Sequence, residues 1–405
     1  MILLILYAVI YCIFSKVTNR RVHLLLVLLP FVITYGMYLF NLDISIKVNL
    51  EKYLVSILGF ITFFFPILFF YKKLTKASKF FDYSSYYVPY SNFRFWLTIL
   101  ILVNLTVIVS MIFNGIPVLS NNPNLERLYF SQNNGISTRV INYVIPFLSV
   151  YCLYLCSRQR NVALTWQPYL IYLLLCITPF LLGNKGSVLI LSLLYIASSR
   201  TINGKKMVNE SFLLVVGLVS LVSGFILHGG GTNSAALILS ISNRLQDFSG
   251  VDVVFESFIP IHGYMYGKTF LYEMNSIFSL LGISSGLSTQ TTGNYVARWY
   301  VNGDESYLFE YVFSLPIIGY INFGYTGVLI FSLIFGTIFM YSYVFYLRCR
   351  KITSIWWLMV SYTMLMIFVS GKPGSFLVGN IMTFTALFIF SQLNRLFFKQ
   401  VTSTH

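Results

Sequence analysis

Charged residues are scarce in this chain of 405 residues: they make up 10% of it, whereas hydrophobic residues make up 57%. Soluble domains carry about 25% charged residues, and a core of ordinary size cannot bury so much apolar surface. The mean hydropathy of +0.76 agrees with this composition. The scarcity of charge excludes a soluble globular protein and predicts an integral membrane protein.

The apolar residues gather in segments long enough to cross a bilayer. Hydrocarbon about 30 Å thick is spanned by roughly 20 helical residues, and backbone groups in lipid must be satisfied within the segment, which favours helices. The predicted fold class is an all-α polytopic integral membrane protein with about 11 transmembrane helices, in a range of 10–12. The predicted spans are 1–15, 23–41, 53–71, 95–113, 140–156, 168–183, 187–199, 211–228, 326–347, 354–371 and 377–393.

Acidic residues are few, 12 against 27 basic ones, and the formal charge is +15. With the chain's start placed outside, the inner connectors hold eighteen Lys and Arg residues and the outer connectors hold nine. This distribution is the positive-inside asymmetry of membrane proteins. The basic charge therefore orients the protein, and no nucleic-acid partner is expected.

Cysteine and the common cofactor motifs are also sparse or missing. The five cysteines lie in predicted spans or at the inner face, so they imply no disulfide framework. The sequence has no Gly-rich loop ending in Lys-Ser/Thr, no His-Glu-x-x-His and no Asp-x-Asp pair. We therefore expect neither a cofactor nor a metal ion.

Two long connectors on the outer side divide the chain. Residues 1–228 hold the first eight predicted helices and a short periplasmic loop at 114–138. Residues 229–325 form a large periplasmic loop with interfacial helices, and residues 326–405 hold helices nine to eleven and a cytoplasmic tail.

Within the large loop, half-apolar patterns predict interfacial helices at 232–248 and 269–283. The chain shows no internal repeat, whereas many transporters are built from duplicated halves. Because the acidic residues fall almost entirely on the outer side, this asymmetry favours a site at the outer surface.

Three arginines of the outer connectors, Arg127, Arg244 and Arg298, are candidates for binding a phosphate. A guanidinium group pairs bidentately with phosphate oxygens and stays protonated in any environment. Alternatively, each arginine pairs with a neighbouring acid, for example Arg127 with Glu126 or Arg298 with Asp304.

Two lysines, Lys185 and Lys372, occupy tight turns between apolar segments. A cation close to hydrocarbon is costly, so its presence there suggests that it binds substrate phosphate. The alternative is a lysine that extends to the headgroups from the tip of a hairpin.

Aromatic residues crowd the large loop, and most of them fit an interfacial belt. Trp299 and Tyr300, beside Arg298, are the candidates for stacking on a sugar ring. Glu256 and His262 are the candidate proton acceptors, since general-base chemistry needs a carboxylate or an imidazole. Each could equally be a solvated loop residue.

Four stretches of the sequence are similar to one known family: "GIPVLSNNPNLERLYFSQNNG" (115–135), "LLGNKGSVLILSLLYI" (181–196), "ISNRLQDF" (241–248) and "FSLPIIGYINFGYTGVLIFSLIFG" (313–336). They resemble the bacterial oligosaccharide repeat unit polymerases, the Wzy-type O-antigen and capsule polymerases. The resemblance spans roughly residues 95–347, and Lys185 stands where the family more often has arginine. The Arg-x10-Gly pattern of some members does not occur at Arg127, Arg139, Arg244 or Arg298.

The resemblance implies a GT-C-like membrane glycosyltransferase architecture and a reaction on the periplasmic side of the bacterial inner membrane. A chain on undecaprenyl diphosphate would be transferred to a new lipid-linked repeat unit, so donor and acceptor are lipid-linked oligosaccharides. A chain-length regulator protein is a further partner that the resemblance allows.

We assign Arg244 and Arg298 to the donor diphosphate; Arg127 and Lys185 would hold the second lipid phosphate or orient the first. Two functions compete with the polymerase: a flippase or exporter of lipid-linked oligosaccharide, and the O-antigen ligase, which has a similar topology and the same donor. A non-enzymatic scaffold is the weakest alternative, because it has no need for outer arginines beside acids.

Overall fold

A computed structural model of the protein describes most of the chain. The described residues are 2–18, 24–38, 46–79, 90–120, 122–158, 166–203, 207–227, 248–280, 291–301, 310–348 and 353–398. Arg244, Asp304 and nearly all of the interfacial helix predicted at 232–248 lie outside the described residues.

The described part of the chain is helical and contains no strand. Short 3-10 helices occur at Leu24–Leu28 and Pro117–Leu119, and π-helices at Val140–Val144 and Val254–Phe258. The α-helices are α1 (Ile2–Thr18), α2 (Leu29–Tyr38), α3 (Ile46–Phe64), α4 (Ile67–Lys79), α5 (Tyr90–Asn114), α6 (Pro123–Asn133), α7 (Gly135–Arg139), α8 (Ile145–Ser157), α9 (Gln167–Leu181), α10 (Lys185–Asn203), α11 (Glu210–Leu227), α12 (Phe248–Val253), α13 (Ile259–His262), α14 (Lys268–Leu280), α15 (Thr292–Tyr300), α16 (Leu315–Arg348), α17 (Thr353–Ser370) and α18 (Pro373–Phe398).

Within the described ranges, five helical stretches are long and apolar enough to cross a membrane, which makes the chain a helical membrane protein by length and composition. Six shorter apolar helices of 10–17 residues accompany them. Each of the eleven predicted spans overlaps one helix of these two sets. How many of the shorter helices cross the bilayer, and hence the count of eleven, stays a prediction. The long stretches are Leu50–Lys76, Tyr90–Asn114, Gly135–Ser157, Leu315–Arg348 and Phe376–Leu393.

Aromatic side chains form the buried contact between α1, α3, α16 and α17. The Phe63 ring stacks on Phe339 at 5.8 Å and lies 4.8 Å from Phe368, and Phe14 lies 4.9 Å from Tyr343. A side chain at Gly336 would overlap the backbone of Phe63, so glycine lets α16 approach α3 closely. With α3 and α16 packed in this way, Glu51 of α3 lies beside Tyr320 and Tyr325 of α16.

Helix α16 is broken near its start, at Phe323 and Gly324. Gly324 has a φ of +62°, which favours glycine, and the two halves of α16 turn sharply there. Gly319 and Gly327 then meet backbone to backbone, because a Cβ at either glycine would overlap the other. The break leaves helix carbonyls without their usual partners, and buried carbonyls need new donors.

The segment between α13 and α14, residues 263–267, supplies these donors. The backbone N–H of Met265 donates to the Ile321 carbonyl at 3.0 Å, and that of Tyr266 donates to the Asn322 carbonyl at 2.8 Å. The Asn322 side chain also donates to Thr269 Oγ1 at 2.8 Å. Tyr266 takes a φ of +47° in this turn, a conformation rarely seen for tyrosine. The contact fastens the segment before α14 to the break in α16.

Proline explains the position of both π-helices. Each π-helix ends two residues before a proline, Pro146 in one case and Pro260 in the other. A proline ring lacks an N–H group and clashes with the carbonyl four residues earlier, so an ordinary helical turn cannot form there. The wider π turn relieves this clash, and such turns are frequent at functional sites.

Candidate functional site

The candidate site begins on the continuous helical segment 248–262, formed by α12, the π-helix 254–258 and α13. Glu256 lies on the π turn with a side chain that is 44% exposed. His262 is the last residue of α13 and is exposed. Gly263, with a φ of +68°, ends the helix directly after His262 and starts the segment that closes the α16 break. The two proton acceptors predicted from the sequence therefore share one short helical segment.

Helix α15 packs on this segment through an aromatic face. Tyr295 and Trp299 are four residues apart and lie on one side of the helix. Trp299 lies 5.1 Å from the Phe258 ring and 4.9 Å from the His262 ring, both nearly perpendicular, and Tyr295 lies 6.2 Å from Phe258. His262 and Trp299, which the sequence predicted to be site residues with different roles, are therefore in contact.

Arg298 occupies the last turn of α15 beside Trp299, and Tyr300 follows it with 55% of its surface exposed. A cation in the last turn of a helix interacts favourably with the helix dipole. Arg298 precedes Trp299 in the chain, and consecutive residues of a helix project about 100° apart, so the two side chains leave α15 in different directions. We call Glu256, His262, Arg298, Trp299 and Tyr300 the aromatic–arginine surface.

Lys52 underlies this surface and was not predicted to be a site residue. It comes from the start of α3, is only 4% exposed, and its ammonium group pairs with Asp252 and lies 3.6 Å from Glu256. A buried ammonium group needs such anionic neighbours, because an unpaired buried charge is very costly. The negative charge of Glu256 is therefore already engaged by an internal cation. Nothing in the sequence links residues two hundred positions apart, so this contact could not have been foreseen.

The neighbouring Glu51 accepts hydrogen bonds from two tyrosines that flank the break in α16. The Tyr320 hydroxyl donates to Glu51 at 2.6 Å and the Tyr325 hydroxyl at 3.4 Å. Phe255 of the π turn stacks on the Tyr320 ring at 4.8 Å. These contacts join α3, the π turn and the broken helix into one support beneath the site.

Glu273 is the second residue that the sequence did not single out. It lies on α14, is 4% exposed, and its carboxylate accepts the backbone N–H of Thr292 at 2.7 Å, at the first residue of α15. Burial raises the pKa of Glu273 to about 8; the Thr292 hydrogen bond and Lys372 oppose this rise, and the negative charge of Glu310 adds to it. The only signal in the sequence is one acidic residue in a half-apolar helix.

Lys372, predicted to bind phosphate, lies in the turn before α18 and pairs with Glu310 at 2.7 Å. The side chain of Glu310 lies close to Gly293 in the first turn of α15. Lys372 is thus placed near the start of α15, whereas Arg298 is at its end. Whether this lysine also binds a substrate phosphate stays a prediction.

Arg127 and Lys185 belong to a different neighbourhood. Arg127 is on α6, which packs on the 3-10 turn at 117–119 and on α7. Lys185 begins α10 directly after a tight turn, in which a Cβ at Gly183 would lie 3.8 Å from the Pro123 carbonyl oxygen. The two short loops that carry Arg127 and Lys185 therefore touch, whereas α15 packs on α12, the π turn and α14.

The chemistry available at the aromatic–arginine surface is anion binding, proton transfer and stacking. Among the described residues, no group of three or more His, Cys, Asp and Glu side chains is placed to hold a metal ion. The exposed imidazole of His262 can accept a proton, the indole that it contacts can stack on a sugar ring, and the guanidinium group of Arg298 on the same helix as that indole can bind an anion.

Comparison with known proteins adds no relative: no protein-family model, no curated protein and no solved structure matches this chain. The functional interpretation therefore depends on the geometry of the site, and on the resemblance of the four sequence stretches.

Ionisation of Glu273 is expected to lower the stability of the protein as the pH rises. Its pKa of about 8 in the folded protein is above the ordinary value of 4.5, so the stability that the protonated carboxyl provides is complete below that value and is lost as the pH rises through about 8. We expect the midpoint of thermal unfolding in detergent to fall between about pH 5 and about pH 8 and to level off above that, and Glu273→Gln, neutral throughout, to remove most of this fall.

Glu310 and Lys372 are the charged side chains that shift the pKa of Glu273. Tyr143 of the first π-helix also lies within electrostatic range of Glu273. Glu256→Gln serves as the control, because that side chain is exposed and pairs with Lys52. If wild type and Glu273→Gln lose the same stability over this pH range, the assignment of the titration to Glu273 is wrong.

Proposed function

We propose that this protein is a metal-independent glycosyltransferase that polymerises undecaprenyl-diphosphate-linked repeat units into O-antigen or capsular polysaccharide. The observation that carries the proposal is the contact between His262 and Trp299, with Arg298 adjacent, on a surface fastened to the end of apolar helices. This contact supports the proposal because it joins a candidate proton acceptor to a candidate sugar-stacking ring, and a candidate phosphate-binding cation precedes that ring in the chain.

The reaction couples one bond that forms with one that breaks. The hydroxyl oxygen of the acceptor repeat unit attacks the anomeric carbon of the donor sugar. The bond from that carbon to the diphosphate oxygen breaks, and undecaprenyl diphosphate leaves with the electron pair. The hydroxyl proton passes to a protein base. Charge grows on the diphosphate as it leaves, so cations placed there favour the transition state.

Arg298 is assigned to the donor diphosphate, together with Arg244, which lies outside the described residues. A charge-assisted hydrogen bond to a phosphate contributes about 1.5–3 kcal/mol. Arg298 is partly exposed at the end of α15. A lipid-linked diphosphate arriving by lateral diffusion would meet it at the end of the helical bundle.

His262 is the better of the two candidate bases. Glu256 shares the buried Lys52 with Asp252, so deprotonated Glu256 is held in an ion pair. His262 is exposed, and its ring contacts two aromatic rings, those of Phe258 and Trp299. An exposed imidazole can take the hydroxyl proton and release it to water.

Trp299 and Tyr300 are assigned to the glycan. The Trp299 ring meets Phe258 and His262 edge to face, while Tyr300 is largely exposed. The loops that carry Arg127 and Lys185, which touch near Pro123, are assigned to the second lipid phosphate.

The site is assigned to the periplasmic face of the bacterial inner membrane. The smaller number of basic residues on the predicted outer connectors supports this orientation. The GT-C-like architecture and the total of eleven transmembrane helices belong to the same proposal.

Loss of Arg298 is expected to impair polymerisation in cells. In a deletion strain complemented with Arg298→Ala, the polymer ladder should shift to short chains, with activity reduced about 10- to 100-fold because one charge-assisted contact is lost. Arg298→Lys should restore it only in part, because lysine lacks the bidentate fork. Arg244→Ala is tested in parallel.

Arg348→Ala is the matched control, since Arg348 is also basic in the last turn of a helix but lies at the far end of α16. Normal ladders from well-expressed Arg298→Ala and Arg244→Ala proteins would refute the diphosphate assignment. Loss of all attached glycan, single units included, would indicate the ligase. Single repeat units that remain facing the cytoplasm would indicate a flippase.

Removal of the imidazole at His262 is expected to slow the chemical step. His262→Gln should lower kcat by about 10²- to 10⁴-fold in purified protein, as for other general bases. Glu256→Gln should lower it by less than about tenfold, because that carboxylate is engaged by Lys52. The opposite order of the two variants would transfer the role of base to Glu256.

A further inference from the structure

The N-terminus of α15 is held from outside the helix. The first N–H groups of a helix have no partner within it. Here the Thr291 hydroxyl accepts the N–H of Asn294 at 3.1 Å, and Glu273 of α14 accepts the N–H of Thr292 at 2.7 Å. Glu273 therefore ties the start of α15 to another helix.

Helix α15 depends on such contacts for its position. It is nine residues long, and isolated helices shorter than about 12–15 residues are marginal in water. At its start, a Cβ at Gly293 would overlap the backbone of Tyr311, so the helix lies tightly against the 310–314 segment. Further along, Val296 and Ala297 are buried, and Trp299 packs on Phe258.

The end of α15 that Glu273 holds and the end that carries Arg298 belong to the same short helix. Arg298 is six residues after Thr292, about 9 Å along a helix that rises 1.5 Å per residue. A tilt about the start of α15 therefore moves the guanidinium group and the Trp299 ring. Misplacement of about 1 Å can lower a reaction rate about 10²-fold.

We propose that Glu273 is a positioning residue: by accepting the Thr292 N–H, it orients α15 so that Arg298 and Trp299 face the donor diphosphate and its sugar. This role rests on the proposed function, and it is separate from the titration that the same residue undergoes.

The hydrogen bond does not require a charged Glu273. A protonated carboxyl still offers its carbonyl oxygen to the Thr292 N–H, and so does the amide of glutamine. The Glu310–Lys372 ion pair lies beside the start of α15 and does not include Glu273. Glu273→Gln should therefore keep the hydrogen bond that holds α15, whereas Glu273→Ala should lose it.

Two variants test the hydrogen bond from its two sides, in the full-length protein in nanodiscs. Glu273→Ala removes the acceptor. Thr292→Pro removes the donor, and proline is well tolerated at the first position of a helix. The preceding Thr291 already has the extended backbone, with ψ of 158°, that proline requires. Thr269→Ala is the control, because it removes a buried hydrogen bond of α14 to Asn322 without touching α15.

The first measurement is amide hydrogen exchange over residues 292–300. Exchange should rise at least about tenfold in Glu273→Ala and in Thr292→Pro, and stay within about threefold of wild type in Glu273→Gln and Thr269→Ala. The double variant Glu273→Ala/Thr292→Pro should show no further increase, because both changes remove one bond.

The second measurement is the donor KM and kcat in a polymerisation assay. Glu273→Ala and Thr292→Pro should raise the donor KM or lower kcat at least about tenfold, and Glu273→Gln should restore both. Unchanged exchange in Glu273→Ala, or equal exchange in Glu273→Ala and Thr269→Ala, would overturn the positioning role. If the wild-type protein forms no polymer, the proposed function fails, and the exchange data alone still decide whether Glu273 holds α15.

Discussion

A membrane helix that is broken near its start leaves carbonyl groups that lipid cannot satisfy, and this protein satisfies them with its own chain. Met265 and Tyr266 donate to the carbonyls of Ile321 and Asn322 just before the break at Gly324. His262 precedes this contact by three residues and α14 begins immediately after it. The positions of the candidate base and of the helix that carries Glu273 therefore both depend on how one helix is broken and closed.

Three charged side chains near this break, Lys52, Glu51 and Lys372, each have a partner of opposite charge or a hydrogen-bond donor. Lys52 is surrounded by Asp252 and Glu256, Glu51 accepts two tyrosine hydroxyls, and Lys372 pairs with Glu310. These pairs hold neighbouring elements together at the end of the apolar bundle. The proposed site lies beside these pairs and consists of His262 and Trp299, which are in contact, and Arg298, which precedes Trp299 in the chain.

Local features of the fold could be predicted from the sequence. Every predicted span overlaps an apolar helix, because hydropathy acts within one segment, and the predicted helix at 269–283 corresponds to α14. The two π turns were not predicted: each precedes a proline, Pro146 or Pro260, but Pro179 lies inside α9 without a π turn. Contacts between distant segments, such as Lys52 with Asp252 and Glu273 with Thr292, depend on how helices assemble and leave no local pattern. His262 and Trp299 were each predicted to be site residues because of their chemistry, but the contact between them was not predicted.

The proposed chemistry needs only lipid-linked sugars and the side chains of this protein. It is tested most directly by reconstitution: the purified protein is placed in liposomes with defined undecaprenyl-diphosphate-linked repeat units and a chelator, and without nucleotide sugar. A ladder of lengthened glycolipids, with one undecaprenyl diphosphate released for each bond formed, is the expected result. Repeat units that stay single, whether they remain in place or move across the bilayer, would contradict a polymerase.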